Sequence, residues 1–66
     1  MKNKIRIHRL IKNFSQAELA DLVGVSRQTI NALEAEKYIP STVLSLKISR
    51  VLEQPIELLF ELEDKD

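Results

Sequence analysis

A chain of 66 residues, with ten basic and ten acidic side chains and no cysteine, has room for one small domain. Such a chain hides only about 60% of its unfolded surface on folding. With no disulfide framework or cysteine-ligated zinc to staple it, oligomerisation is the expected remedy. No apolar stretch approaches the roughly 18 residues of a membrane span, and the start MKNKIRIHRL lacks the apolar core and cleavage site of a signal peptide. A cytoplasmic protein without a membrane partner is expected.

A formal net charge of zero argues at first against a polyanionic partner, which clustered Lys and Arg would attract. The distribution answers this. Residues 1 to 50 carry nine basic side chains against four acidic ones, giving +5, and residues 51 to 66 carry one against six, giving −5. One end is suited to phosphate and the other is turned away from it.

In chain order, residues 4–13 read as a first helix, with Ile7, Leu10 and Ile11 on one side and Lys4, Arg6, His8 and Lys12 mostly on the other. Residues 1–4 carry no helix cap. They suit a short strand, for which the alternation around Phe60 and Leu62 near the other terminus offers a partner of the right length. His8 is the only histidine, with no second histidine or cysteine to share a metal, so a surface position is expected and no metal site.

Ser15 opens a second helix as an N-cap, and Glu18 at the third helical position can close a capping box. Leu19, Ala20 and Val23 share one face. Gly24, the only glycine, stands just past the last periodic residue, where a C-terminal cap needs positive φ. Val25 is a candidate plug, Ser26 repeats the cap signal, and Ile30 with Leu33 forms the inward face of a third helix. Two helices with so short a linker must cross steeply, which is helix-turn-helix geometry.

Glu36 to Pro40 breaks the pattern, because the residue before a proline is pushed out of the helical region. Ser41 then caps a fourth helix running to about Leu52, with Leu44, Ile48, Val51 and Leu52 inward and Lys47 and Arg50 wet. Pro55 suits the first position of a short fifth helix ending near Phe60. With Leu44, Ile48, Leu52, Ile56, Leu59 and Phe60 assigned to the core, Val43, Leu46, Leu58 and Leu62 remain. A second apolar face on so small a domain points to a partner, here a second copy.

The stretch SQAELADLVGVSRQTINALE resembles the DNA-binding core of the phage Cro and repressor family, also called XRE-type regulators, and the likeness extends through Tyr38-Ile39-Pro40-Ser41 and the tail Pro55 to Phe60. The resemblance implies an all-α, lambda-repressor-like bundle of five helices, to which the alternation near the termini adds a short two-stranded sheet joining them. It covers nearly all of the chain, so a single domain over residues 1–66 is expected, with the motif at about 16–35 and, from the surplus apolar residues, a dimerisation part at about 43–66. It also implies an ion pair between Arg9 and Glu34. The outward side chains of the third helix are Arg27, Gln28, Asn31 and Ala35. Arg27 can pair with guanine O6 and N7 and Gln28 with adenine N6 and N7, while Thr29 suits a thymine methyl or a phosphate. Arg27, Gln28, Thr29 and Asn31 are therefore the expected base readers. Gln16, where the family grips phosphate, is expected to contact the backbone together with Ser26, Lys37 and Tyr38. Ala32 departs from relatives that place a long polar reader there.

The expected function is that of a homodimeric repressor on double-stranded DNA, with Val43, Leu46, Leu58 and Leu62 at the dimer interface. An antitoxin-like or other protein-interaction module is the alternative. The five serines at 15, 26, 41, 45 and 49 have no histidine at credible triad positions. Enzymatic activity, a cofactor and a small-molecule ligand are therefore not expected.

Overall fold

Serine hydroxyls start three of the five helices. In a computed structural model describing residues 1–66, Ser15, Ser26 and Ser41 have extended backbones, and their hydroxyls accept from the N–H groups of Glu18, Thr29 and Leu44 at 3.0, 3.2 and 3.1 Å. They open α2 (Gln16–Val23), α3 (Arg27–Glu34) and α4 (Thr42–Leu52). At Ser15 the capping box is complete, because the Ser15 N–H donates back to Glu18 Oε1 at 2.9 Å. That bond, with the serine hydroxyl second, holds the Glu18 carboxyl below its ordinary pKa.

The connections are tight for an equally local reason. Asn13, Gly24, Glu36 and Glu53 all have left-handed backbones, at φ 60°, 76°, 61° and 56°. Each stands at or just past a helix end, where such a residue lets the chain leave the helix while its last carbonyls find donors. A Cβ at Gly24 would meet nothing within 4 Å, so the glycine answers a need for positive φ and not for space. Glu36 holds the same conformation at a steric cost of about 1–2 kcal/mol, partly offset by the lower entropy of a non-glycine chain before folding. Glu36→Gly is expected to stabilise the domain by about 1 kcal/mol, raising the denaturation midpoint without changing the m-value.

The remaining elements are β1 (Lys2–Asn3), α1 (Ile5–Ile11), α5 (Ile56–Leu59) and β2 (Phe60–Glu61). β1 and β2 pair antiparallel, with Lys2 opposite Glu61 and Asn3 opposite Phe60, so the termini are joined by a two-stranded sheet. The Lys4 N–H extends the junction by donating to the Leu59 carbonyl at 2.8 Å. Beyond it, the terminal amine of Met1 lies 3.0 Å from both Glu63 Oε1 and Asp66 Oδ1. These contacts, Asp66 first, raise the pKa of the amine. α5 is one turn long, with Pro55 as its N-cap rather than its first residue and Phe60 already extended.

The core gathers Ile5, Leu19, Ala20, Val23, Ile30, Leu33, Leu44, Ile48, Leu52 and Leu59, with Phe14, Val25, Val51 and Phe60 packed on its rim. Two readings of the sequence change here. Ile56 is only half-buried and lies outside this cluster. α1 does not present Ile7, Leu10 and Ile11 to the interior: all three are exposed, and the buried residues of the helix are Ile5 and Arg9. The helix has apolar residues on both sides, so periodicity alone leaves its rotation open. The Lys4–Leu59 bond at one end and the partners of Arg9 at the other turn Ile5 and Arg9 inward.

Candidate nucleic-acid interface

α2 and α3 form the corner on which the candidate site is built. The turn through Gly24 and Val25 brings the two helices together over Ala20, Val23, Ile30 and Leu33, all buried. With Ile30 and Leu33 fully withdrawn from solvent, the opposite side of α3 must face outward. Arg27, Gln28, Asn31 and Ala35 are exposed there. Arg27, Gln28 and Asn31 line one shallow recess of about 390 Å³. A second, of about 240 Å³, is lined by Gln28, Thr29, Ala32 and Tyr38, so the loop after α3 folds its tyrosine back beside the helix.

The expected phosphate contacts fall into two groups. Lys37 and Tyr38 are exposed on the loop and free of side-chain hydrogen bonds. Gln16 and Ser26 are engaged within the protein. The Gln16 amide donates to Glu34 Oε1 at 3.1 Å, and the Ser26 hydroxyl caps α3 and lies 3.0 Å from Thr29 Oγ1. Thr29 is half-buried and shares that contact, so its hydroxyl is less free than the exposed amides of Gln28 and Asn31. In the first turn of α2 the Glu18 N–H is taken by the Ser15 hydroxyl and the Glu18 carboxylate closes the capping box, which leaves the N–H groups of Gln16 and Ala17 without an intrahelical acceptor.

Behind the surface lies a buried polar network. Arg9 Nε donates to Glu34 Oε2 at 2.7 Å and its Nη2 to Glu34 Oε1 at 3.1 Å, while Nη1 donates to the Phe14 carbonyl at 2.8 Å. The two charged side chains are only 8% and 6% exposed. A bidentate arginine–carboxylate pair fixes direction as well as distance. It ties α1, the turn before α2 and the end of α3 into one frame, to which Gln16 adds the start of α2. The bond to Glu34 also raises the pKa of Arg9, keeping it charged. No buried side-chain nitrogen or oxygen is left without a partner, so the network is fully satisfied and rigid.

Four contacts here, the Gln16–Glu34 bond among them, have no counterpart in the sequence reading. The Phe14 carbonyl completes the shell of Arg9. Asn3 donates its amide to the Leu33 carbonyl at 2.7 Å and accepts from the Ile5 N–H at 3.2 Å. The second bond had a local signal, since an asparagine two residues before a helical N–H forms an Asx turn. The first had none.

Away from the corner, Val43, Leu46, Leu58 and Leu62 are all exposed, and Lys12 Nζ pairs with Glu53 Oε1 at 2.7 Å. His8 is half-buried, no three His, Cys, Asp or Glu residues are grouped to hold a metal ion, and no helix is long and apolar enough to cross a membrane.

Known proteins resemble this chain along most of its length. The family described as "Helix-turn-helix" matches residues 5–59. An HTH-type transcriptional regulator of Methanocaldococcus jannaschii is 46% identical over 66 residues, covering all of both chains. A second HTH-type transcriptional regulator, YgzD of Bacillus subtilis, is 41% identical over 66 residues with the same full coverage. Among solved structures, the restriction-modification controller protein C.AhdI from Aeromonas hydrophila superposes with a TM-score of 0.77 at 32% identity, over 85% of each chain.

Proposed function

The chain belongs to the helix-turn-helix family of transcriptional regulators, with a helix-turn-helix DNA-binding domain, and on that premise we propose that it is a homodimeric, cytoplasmic repressor that occludes a pseudo-palindromic operator. The observation carrying this reading is α3 itself. Its inner side is fully buried and its end is held by the Arg9–Glu34 pair, so Arg27, Gln28 and Asn31 project from a helix that cannot easily roll. Preorganised side chains at the N-terminal half of such a helix suit base edges in the major groove. Arg27, Gln28, Thr29 and Asn31 are assigned to bases. Lys37, Tyr38, Gln16 and Ser26 are assigned to phosphates, the last two through backbone N–H groups at helix starts because their side chains already have partners.

A magnitude supports the dimer. Two or three base contacts supply about 6 kcal/mol of discrimination, whereas competing with ~10⁶ genomic sites takes about 8 kcal/mol. One copy reads too little, and a two-fold dimer doubles the readout with its reading helices about 34 Å apart. The exposed leucines and valine at 43, 46, 58 and 62 supply an apolar surface for it. Selection from random oligonucleotides tests the whole reading. Enrichment of paired half-sites one helical turn apart is the expected result, and recovery of no common sequence would overturn it.

Three variants separate base contacts from phosphate contacts. Arg27→Ala and Gln28→Ala are each expected to weaken binding to the selected operator by about 1–3 kcal/mol, with little change in melting and little loss on random DNA. An equal loss on both DNAs would remove them from the base-reading set. Lys37→Ala is expected to weaken both DNAs alike and to lower the slope of log K against log salt by about one. An unchanged slope would take Lys37 off the phosphate.

A further inference from the structure

α1 and β1 touch the last turn of α3 at two places, and only one of them is an ion pair. The other is Asn3. Its Nδ2 donates to the Leu33 carbonyl at 2.7 Å while its Oδ1 accepts from the Ile5 N–H at 3.2 Å. Since a carbonyl can only accept and an N–H can only donate, a single orientation of the amide satisfies both contacts. The Leu33 carbonyl lies at the open end of α3, where it also accepts from the Glu36 N–H at 3.0 Å. Asn3 supplies its second donor.

The position of Asn3 in the chain gives that bond its consequence. Asn3 pairs with Phe60 in the two-stranded sheet, and the neighbouring Lys4 N–H is held by the Leu59 carbonyl. The asparagine therefore stands between the C-terminal segment and the end of the reading helix. We propose that Asn3 is a positioning residue for DNA reading: its amide pins the C-terminal end of α3 to the strand shared with the C-terminal segment, and so sets the angle at which Arg27, Gln28 and Asn31 are presented. Arg9 holds α3 through the Glu34 side chain, whose own torsions lie between the ion pair and the helix. Asn3 holds the backbone itself, at the Leu33 carbonyl. This role rests on the DNA-reading function proposed above.

Asn3→Ser separates the two halves of the amide. A serine hydroxyl can still accept from the Ile5 N–H in the corresponding turn, but it is too short to reach Leu33. Asn3→Asp keeps the acceptor and sets a carboxylate against the Leu33 carbonyl. Binding of the wild type, Asn3→Ser and Asn3→Asp is measured on the selected operator and on random DNA, at a temperature well below the lowest melting point. The expected result is a fall of about tenfold in the operator-to-random affinity ratio for Asn3→Ser and a larger fall for Asn3→Asp, with random-DNA affinity of the neutral serine variant within about twofold of wild type. Amide exchange at Glu36, whose N–H shares the Leu33 carbonyl, should quicken in both variants while amides of α4 keep their protection. A purely structural role would lower both affinities together and leave the ratio intact. A ratio unchanged in both variants, or unchanged exchange at Glu36, overturns the role of Asn3. A wild type with no preference for any sequence overturns the DNA reading itself, and this positioning role with it.

Discussion

Glu34→Ala is expected to cost the domain about 3–5 kcal/mol, because it strips the carboxylate from an arginine that has almost no access to water. Arg9 would keep its bond to the Phe14 carbonyl, leaving Nε and Nη2 buried with a full charge and nothing to accept from them. Gln16 would lose its partner in the same step. A domain of this size has a total stability of only about 3–10 kcal/mol, so a substantial part of the population should be unfolded at 37 °C. The melting temperature should drop by at least about 12 °C, taking about 4–8 °C per kcal/mol for so short a chain. The penalty comes from an orphaned charge more than from a lost attraction, so removing both charges should recover most of it. The double variant Arg9→Met, Glu34→Leu, with apolar side chains of similar volume, is expected to melt within a few degrees of wild type. It should nonetheless bind operator less selectively, because the bidentate direction is gone. If Glu34→Ala melts like wild type, the pair is a surface contact in solution and does not frame the motif.

Leu58→Asp is the second change with a large expected effect, and it tests the proposed dimer more than the fold. Leu58 is 41% exposed in the single chain and borders a recess that also holds Lys2 and Lys4. An aspartate there can remain solvated in the isolated subunit, at the rim of an open recess where Lys2 and Lys4 stand among Glu36, Glu57 and Glu61. In a two-fold interface the same aspartate would be desolvated on both subunits, so its penalty counts twice. The dimer dissociation constant should weaken about a thousandfold or more, the equivalent of about 4 kcal/mol. Operator binding should fall steeply while Arg27 and Gln28 remain intact, and the melting temperature should lose its dependence on protein concentration. Sedimentation that still finds a dimer with unaltered operator affinity would place the interface elsewhere, with the exposed side of α1, Ile7, Leu10 and Ile11, as the next surface to test.

The parts of this molecule that could be read from the chain are those whose cause is local. Ser15 with Glu18, Gly24, Ser26 and Ser41 each act over two to four residues, and the helix boundaries they imply agree with the structure to within a residue or two. The outward row of α3 is legible for a similar reason: once Ile30 and Leu33 are the only apolar pair at helical spacing, the opposite side has no choice. The short sheet between the termini could be anticipated from alternation alone. Left-handed backbones at Asn13, Glu36 and Glu53 were harder to see, because no glycine marks those three turns.

Sequence by itself thus determined the motif, its caps, the five helices and the excess of apolar residues over core positions. Tertiary structure alone decided which side of α1 faces inward, which acceptor holds the Gln16 amide, and that Asn3 joins the start of the chain to the end of α3. The difference lies in the range of the forces. A cap is satisfied by neighbours three residues away, whereas the rotation of a seven-residue helix, barely two turns long, is set by bonds to residues 25 and 30 positions distant, Arg9 to Glu34 and Asn3 to Leu33. A chain with apolar residues on both sides of α1 carries no local preference strong enough to choose between them, so the choice falls to whichever rotation lets the buried charge of Arg9 meet its carboxylate.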